Sequence, residues 1–314
     1  MSDGLHDRRS SLTTRAAIAS VCAALLLLVL KGYGAWVTGS VAMLGSLADS
    51  GLDVIASLVT LFGVRVAAAP ADREHRFGHG KAESIAALVQ VGIIGISALG
   101  IAWRAVERLI EGAETARANE GIAVSAVAIA VTLALVAYQR SVVRRTGSVA
   151  IRTDAVHYQS DLLLNLAVIV ALVLDQYLGF TGADPLFGLG IALWLIYGAW
   201  RASSQAIDQL MDREWPEEKR QRFLAVAARH PEARGIHDLR TRSSGTHDFA
   251  QFHIWIDPEM TVDAAHEVVE AIETSLAGEF PGCEVLIHLD PEGQVDHPGN
   301  VLQETDETRE PIPE

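Results

Sequence analysis

The chain has 314 residues, 50% of them hydrophobic and only 20% charged, with a mean hydropathy of +0.24 and a formal net charge of −14. A soluble globular chain carries a charged fraction nearer a quarter and lacks apolar runs of about 20 residues, so part of this chain does not face water. That hydrophobic content also excludes a disordered acidic polymer.

Six mostly apolar runs, near 15–37, 40–66, 83–107, 119–140, 154–179 and 183–205, are each long enough to cross a bilayer as a helix. An even number of spans puts both termini on one side. Arg8, Arg9 and Arg15 precede the first run, Arg65, Arg73, Arg76 and Lys81 join the second to the third, and Arg140, Arg144, Arg145 and Arg152 join the fourth to the fifth. The segments 38–40 and 179–185 carry no Lys or Arg, and 108–118 sets Arg108 and Arg117 beside acidic residues. The positive-inside rule therefore predicts cytoplasmic termini. The first run is longer than a signal-peptide core and lacks a cleavage site after it, so it reads as a retained span.

Past residue 207 the character changes. Residues 1–207 hold 16 Lys/Arg against 15 Asp/Glu, whereas 208–314 hold 9 against 24. The acidity thus belongs to the last third, which argues against a nucleic-acid partner needing a basic stripe. A helix is predicted over 216–230, a strand over 235–242, a turn at Ser243-Ser244-Gly245, and a strand over 249–256, where side chains alternate. A helix over 261–276 opens on a Thr261 cap, and a strand over 284–289 follows. The order αββαβ predicts a small, ferredoxin-like α+β domain, one sheet with helices on one face. The expected organisation is a six-helix transmembrane domain over 1–207, a cytoplasmic α+β domain over 208–292 and a disordered acidic tail over 293–314.

Within the second run, Asp49 and Asp53 are four apart, roughly 14 and 20 Å along a helix beginning at Ser40, on one face and well inside the bilayer. An aspartate at such depth costs at least about 2.5 kcal/mol, so the pair needs a partner, a water-filled cavity or an ion. The fifth run repeats the device with His157 and Asp161, and Asp154 and Asn165 extend its polar stripe. Together the two pairs offer one imidazole nitrogen and three carboxylates, a donor set that suits a divalent ion of zinc's kind in a tetrahedral shell. The only cysteines, Cys22 and Cys283, supply neither a disulfide framework nor a thiolate cluster. Such a shell favours Zn²⁺, Cd²⁺ or Fe²⁺ over Cu⁺; the donors do not separate the three, and Zn²⁺ is the first expectation.

Because a metal must displace protons from these ligands, and imidazole titrates closest to neutral pH, the same atoms can carry protons one way and metal the other. Between the second and third runs, Asp72, His75 and His79 lie within eight residues, compatible with a second metal site or with a solvated basic loop at the lipid headgroups. Seven of the eleven histidines follow residue 208. His253, His266 and His288 fall on predicted strands or helix, His237 opens a strand and Asp290 ends one.

Three stretches, Gly39-Ser40-Val41-Ala42-Met43-Leu44 leading to Asp49 and Asp53, Phe77-Gly78-His79-Gly80-Lys81-Ala82-Glu83, and His157-Tyr158-Gln159-Ser160-Asp161, resemble the cation diffusion facilitator family, in its bacterial branch of ferrous-iron and zinc efflux pumps. The resemblance covers about 12–292. It implies a homodimer in the bacterial inner membrane that exports metal against protons through Asp49, Asp53, His157 and Asp161, with no catalytic cofactor. It further implies a loop site of Asp72, His75 and His79. His237, His253, His266, His288 and Asp290 would form a cytoplasmic two-metal site near the dimer interface, with Asp290 able to bridge, and Lys81 would pair with Asp212 where the two domains meet. Leu289 cannot ligate, so full coordination there would need water.

Two other classes were weighed. A membrane metalloenzyme of the di-iron kind is suggested by His75-x-x-x-His79, but this sequence has no His-His dipeptide. A metal-sensing receptor would share the cytoplasmic features and leave the two buried pairs without a task.

Overall fold

A computed structural model describes residues 3–38, 41–111, 122–178, 183–232, 234–245 and 247–292. The expected tail over 293–314 and parts of the expected connections at 38–40, 108–118 and 179–185 lie outside these residues. Six long helices come first: α1 (Asp3–Thr38), α2 (Val41–Ala67), α3 (Ala82–Glu111), α4 (Ile122–Thr146), α5 (Val149–Leu178) and α6 (Ala183–Leu210). Among the described residues, five stretches are long and apolar enough to cross a membrane: Arg8–Trp36, Asp49–Ala67, Ala82–Ile110, Ala126–Thr146 and Pro185–Leu210. The remaining expected span lies on α5, which has 30 residues; many side chains in its C-terminal half are outside the described set.

Backbone contacts separate two bodies, the first running from Arg9 to Asp208 and the second holding the described residues from Gln209 to Glu292. In the first body α2 packs on α3, α4 on α5, and α5 on both α2 and α3. Small residues make these contacts close, since lipid gives helices no hydrophobic reason to associate and packing must supply it. Ala16, Ala17, Ala87, Ala150 and Ala206 are wholly buried. A Cβ on Gly63 of α2 would stand 2.3 Å from the Ala86 Cβ of α3, so glycine alone fits there.

The second body contains α7 (Glu217–Ala227), β1 (Arg234–Ser244), β2 (His247–Ile256), α8 (Val262–Glu279) and β3 (Cys283–Pro291). This is the αββαβ order predicted above, with boundaries within a few residues. The sheet runs β1-β2-β3; β1 pairs antiparallel with β2, and β2 parallel with β3 through the α8 crossover. Thr261 caps α8 by accepting the Ala264 N–H. Phe223 and Leu224 of α7, Val268, Ile272 and Leu276 of α8, and Phe252 and Ile254 of β2 form one core. Strand alternation puts Gln251, His253 and His288 on the opposite sheet face, beside Phe249, Trp255 and Leu286.

Candidate metal centres

The membrane centre is built on facing turns of α2 and α5. Asp53, His157 and Asp161 each offer a ligand atom, and these atoms lie within 4.8 Å of one another. His157 Nε2 stands 2.9 Å from Asp53 Oδ1. Both atoms are acceptors when unprotonated, so that contact holds a proton between them. A tetrahedral ion with bonds near 2.0–2.1 Å needs its donors about 3.3 Å apart, so a bound metal would replace this proton and part the two atoms by a few tenths of an ångström. The donor chemistry of these three side chains suits a shared proton or a divalent ion.

Asp49, expected as the fourth ligand, is exposed and is not among the three gathered atoms. Four residues on a helix are one turn, about 6 Å along the axis, so α2 presents Asp53 and not Asp49 to His157 in this arrangement.

Supports surround the centre. The Tyr158 hydroxyl, fully buried beside His157, donates to the Ser20 carbonyl at 3.1 Å and meets Ser57 Oγ at 2.8 Å, tying α5 to α1 and α2. Asn165 Nδ2 donates to the Asp161 carbonyl at 2.7 Å, and Ser160 Oγ to that of His157.

Asp154, one turn before His157, was legible only as part of a polar stripe. It is wholly buried, and Gln90 Nε2 of α3 and Gln139 Nε2 of α4 donate to its two oxygens at 2.9 and 2.7 Å. Gln139 also donates to Ser20 Oγ at 2.9 Å. Sequence reasoning passed over Gln90 and Gln139. Their signal is an uncharged amide within an otherwise apolar run, where an unmatched polar group is costly. Glu83, part of the second motif, is buried at the start of α3 and accepts from Ser148 Oγ at 2.6 Å, tying α3 to the residue that precedes α5.

The loop trio is likewise gathered. Asp72, His75 and His79 offer ligand atoms within 4.8 Å of one another. Asp72 Oδ1 accepts the backbone N–H groups of His75 and Glu74, at 2.6 and 2.9 Å. The His75 N–H foremost holds its carboxyl below the usual carboxylate range, outweighing desolvation, with the Glu74 N–H and the nearby His79 and His75 adding to it. Asp72 is therefore ionised at neutral pH and available as a ligand.

In the second body the register explains the cluster. His237 opposes His253 across β1–β2, and His253 opposes His288 across β2–β3. Residues opposite one another share a face, and Asp290, two positions beyond His288, joins them. The Asp290 carboxylate lies 2.8 Å from His253 Nδ1, 3.3 Å from His237 Nε2 and 3.5 Å from His288 Nε2. His237, His253 and Asp290 form a third group whose ligand atoms lie within 4.8 Å. His237 Nδ1 stands 2.7 Å from the Gly235 carbonyl, which takes its proton and leaves Nε2 for a metal. Gly235 has φ 52°, and a Cβ there would strike the Trp255 ring at 2.2 Å, so this turn needs glycine.

His266 is exposed on α8, 3.5 Å from Glu270, and is not in that group. Leu289 packs against the core. Asp212 lies 3.7 Å from Arg242 within the second body, while Lys81 belongs to the first. Burial pushes the Cys283 thiol up to about 12, with Asp248 adding to it, so it stays protonated at neutral pH.

Comparison with known proteins accounts for both bodies. Residues 17–211 match the family described as the cation efflux transmembrane domain, and 215–292 the cation efflux protein cytoplasmic domain. A protein named cation-efflux pump FieF from Cronobacter sakazakii is 44% identical over 294 residues, 91% of this chain and 98% of that one. Its namesake from Escherichia coli O127:H6 is 44% identical over 280 residues, 89% and 93% of the two chains. Among solved structures, a cadmium form of a MamM CTD variant is 32% identical, covering 24% of this chain and 95% of that one, with a TM-score of 0.23. Membrane and cytoplasmic matches follow one another along the chain as its two bodies do, and the family expected from the motifs is the one found: this chain belongs to the cation efflux family, and is a multi-pass membrane transporter that carries metal cations out.

Proposed function

We propose that this transporter exchanges a divalent transition metal from the cytoplasm, Zn²⁺ first and Cd²⁺ or Fe²⁺ besides, for protons, through Asp53, His157 and Asp161 with Asp49 or water as the fourth donor. The observation that carries this reading is the 2.9 Å contact between His157 Nε2 and Asp53 Oδ1. A metal can take these two atoms only once the proton between them has left, so the two cargoes compete for the same site. An alternating-access equilibrium then makes the exchange directional: a form open inward binds metal and a form open outward binds protons.

The chain works as a homodimer, a reading supported by its match to the cation efflux cytoplasmic domain. It lies in the bacterial inner membrane with both termini cytoplasmic, on the placement of its Lys and Arg residues. His237, His253, His288 and Asp290 hold metal in the cytoplasmic domain, His266 joining them if α8 approaches across the dimer. Asp72, His75 and His79 hold a further ion.

The decisive experiment reconstitutes the full chain in proteoliposomes with an internal pH dye and offers Zn²⁺, Cd²⁺, Fe²⁺ and Mn²⁺ in turn. Metal-driven proton movement is expected for the first three; metal uptake without any proton movement would refute the exchange.

Two further outcomes are expected. His157→Asp makes the shell all-oxygen and should admit Mn²⁺, a harder ion, in the same assay; an unchanged ion preference counts against donor chemistry as the filter. His253→Ala should abolish the rise in thermal stability of the cytoplasmic domain on adding Zn²⁺, while transport falls only partly. Complete loss of transport would place the cytoplasmic centre on the ion's path.

A further inference from the structure

Where α4 ends and α5 begins, a hollow of about 250 Å³ with a mostly apolar wall is lined by Arg140, Arg144 and Arg152 together with Val143, Ala155, Val156 and Gln159. Arg140 Nη2 donates to Gln159 Oε1 at 3.1 Å, and Arg152 Nη1 to Gln205 Oε1 at 2.9 Å; both acceptors are neutral. Arg201 of α6 stands near enough to Arg152 for their charges to interact. Among the described residues, none of these four arginines is ion-paired with a carboxylate.

Several guanidiniums around one partly apolar hollow repel each other until an anion joins them. Free phosphate would satisfy the charge and leave the aliphatic wall without a partner. A phospholipid satisfies both, because its phosphate continues directly into glycerol and acyl carbons. The positive-inside rule sets this junction at the cytoplasmic leaflet, where anionic lipids meet juxtamembrane arginines.

We propose that this cavity binds the headgroup of an anionic phospholipid, its phosphate on Arg140, Arg144 and Arg152 and its upper acyl carbons on Val143, Ala155 and Val156. Gln159, which also lines the cavity, lies two residues from both His157 and Asp161. A bound lipid therefore links α4 to the turn of α5 that carries the metal ligands, and holds the two at a fixed spacing. That consequence rests on the transport reading above; the binding does not, and its test reads bound lipid rather than flux.

Native mass spectrometry of the full-length protein in detergent, titrated with phosphatidylglycerol or phosphatidylcholine, counts the lipids retained. Phosphatidylglycerol is expected to bind in preference. Arg144→Gln, at an exposed position, and Arg152→Gln should each lower its occupancy about fivefold, equivalent to ~1 kcal/mol per basic residue. Arg145→Gln, exposed on the same helix but outside the lining, should leave occupancy unchanged. Equal losses from Arg145→Gln and Arg152→Gln would reduce the effect to a diffuse basic surface and overturn the proposal. Full displacement of lipid by millimolar inorganic phosphate would overturn it too, since a small anion would then suffice.

Discussion

Asp53→Asn is expected to reduce metal-driven proton flux by at least about 100-fold in proteoliposomes, because a carboxamide is a poor ligand for the divalent ion and even residues outside a metal's own ligands change affinity 10–100-fold. The substitution is nearly isosteric and its oxygen still accepts from His157, so the helix pair should stay in place and the dimer should remain intact on size-exclusion chromatography. Asp161→Ala should behave alike. Asp49→Ala should cost less, about tenfold in apparent metal affinity, since three protein donors and a water still complete a tetrahedron. That gradient follows from the geometry: Asp53 is buried against His157, while Asp49 is exposed one turn away. Equal loss from Asp49→Ala and Asp53→Asn would mean that the transporting state gathers all four residues, and undiminished flux in Asp53→Asn would remove the centre from the path.

The second large effect concerns stability. Phe223 is fully buried, with ring centroids 5.7, 5.8 and 5.3 Å from those of Trp215, Phe252 and Phe280. Phe223→Ala should destabilise the cytoplasmic domain by about 3–5 kcal/mol through lost burial and the cavity left behind. For a domain of this size each kcal/mol moves the midpoint by about 4–8 °C, so its thermal transition in the full-length protein should fall by more than about 12 °C. Amide exchange along β2 should quicken in step, and exchange as slow as in the unsubstituted protein would show that the aromatic cluster does not hold the domain together. The histidine cluster on the opposite sheet face would loosen with it, because His237, His253 and His288 are placed by the register of the same strands.

Much of this arrangement was legible from local patterns. Apolar runs of about 20 residues revealed the spans, and alternation along 249–256 revealed β2, because helix and strand periods are properties of short stretches. The i,i+4 pairs Asp49/Asp53 and His157/Asp161 marked two helix faces for the same reason. What those pairs could not tell was which member of one meets which member of the other; the choice of Asp53 depends on the axial offset between α2 and α5, which no spacing within either helix records. Gln90 and Gln139 were missed because an amide in an apolar run acquires meaning only when its partner, Asp154, is known.

The chain's own order of residues was therefore enough to show a membrane part and an acidic αββαβ part, the side chains that are candidates for ligating a metal, and the family to which they belong. Tertiary structure decided the rest. It brought Asp53 rather than Asp49 against His157, aligned His237, His253 and His288 in one register, and left three arginines around a single hollow. These outcomes join residues far apart in the chain, and they are settled by how small side chains let helices approach and how strands pair, which are properties of packed surfaces and not of any one segment.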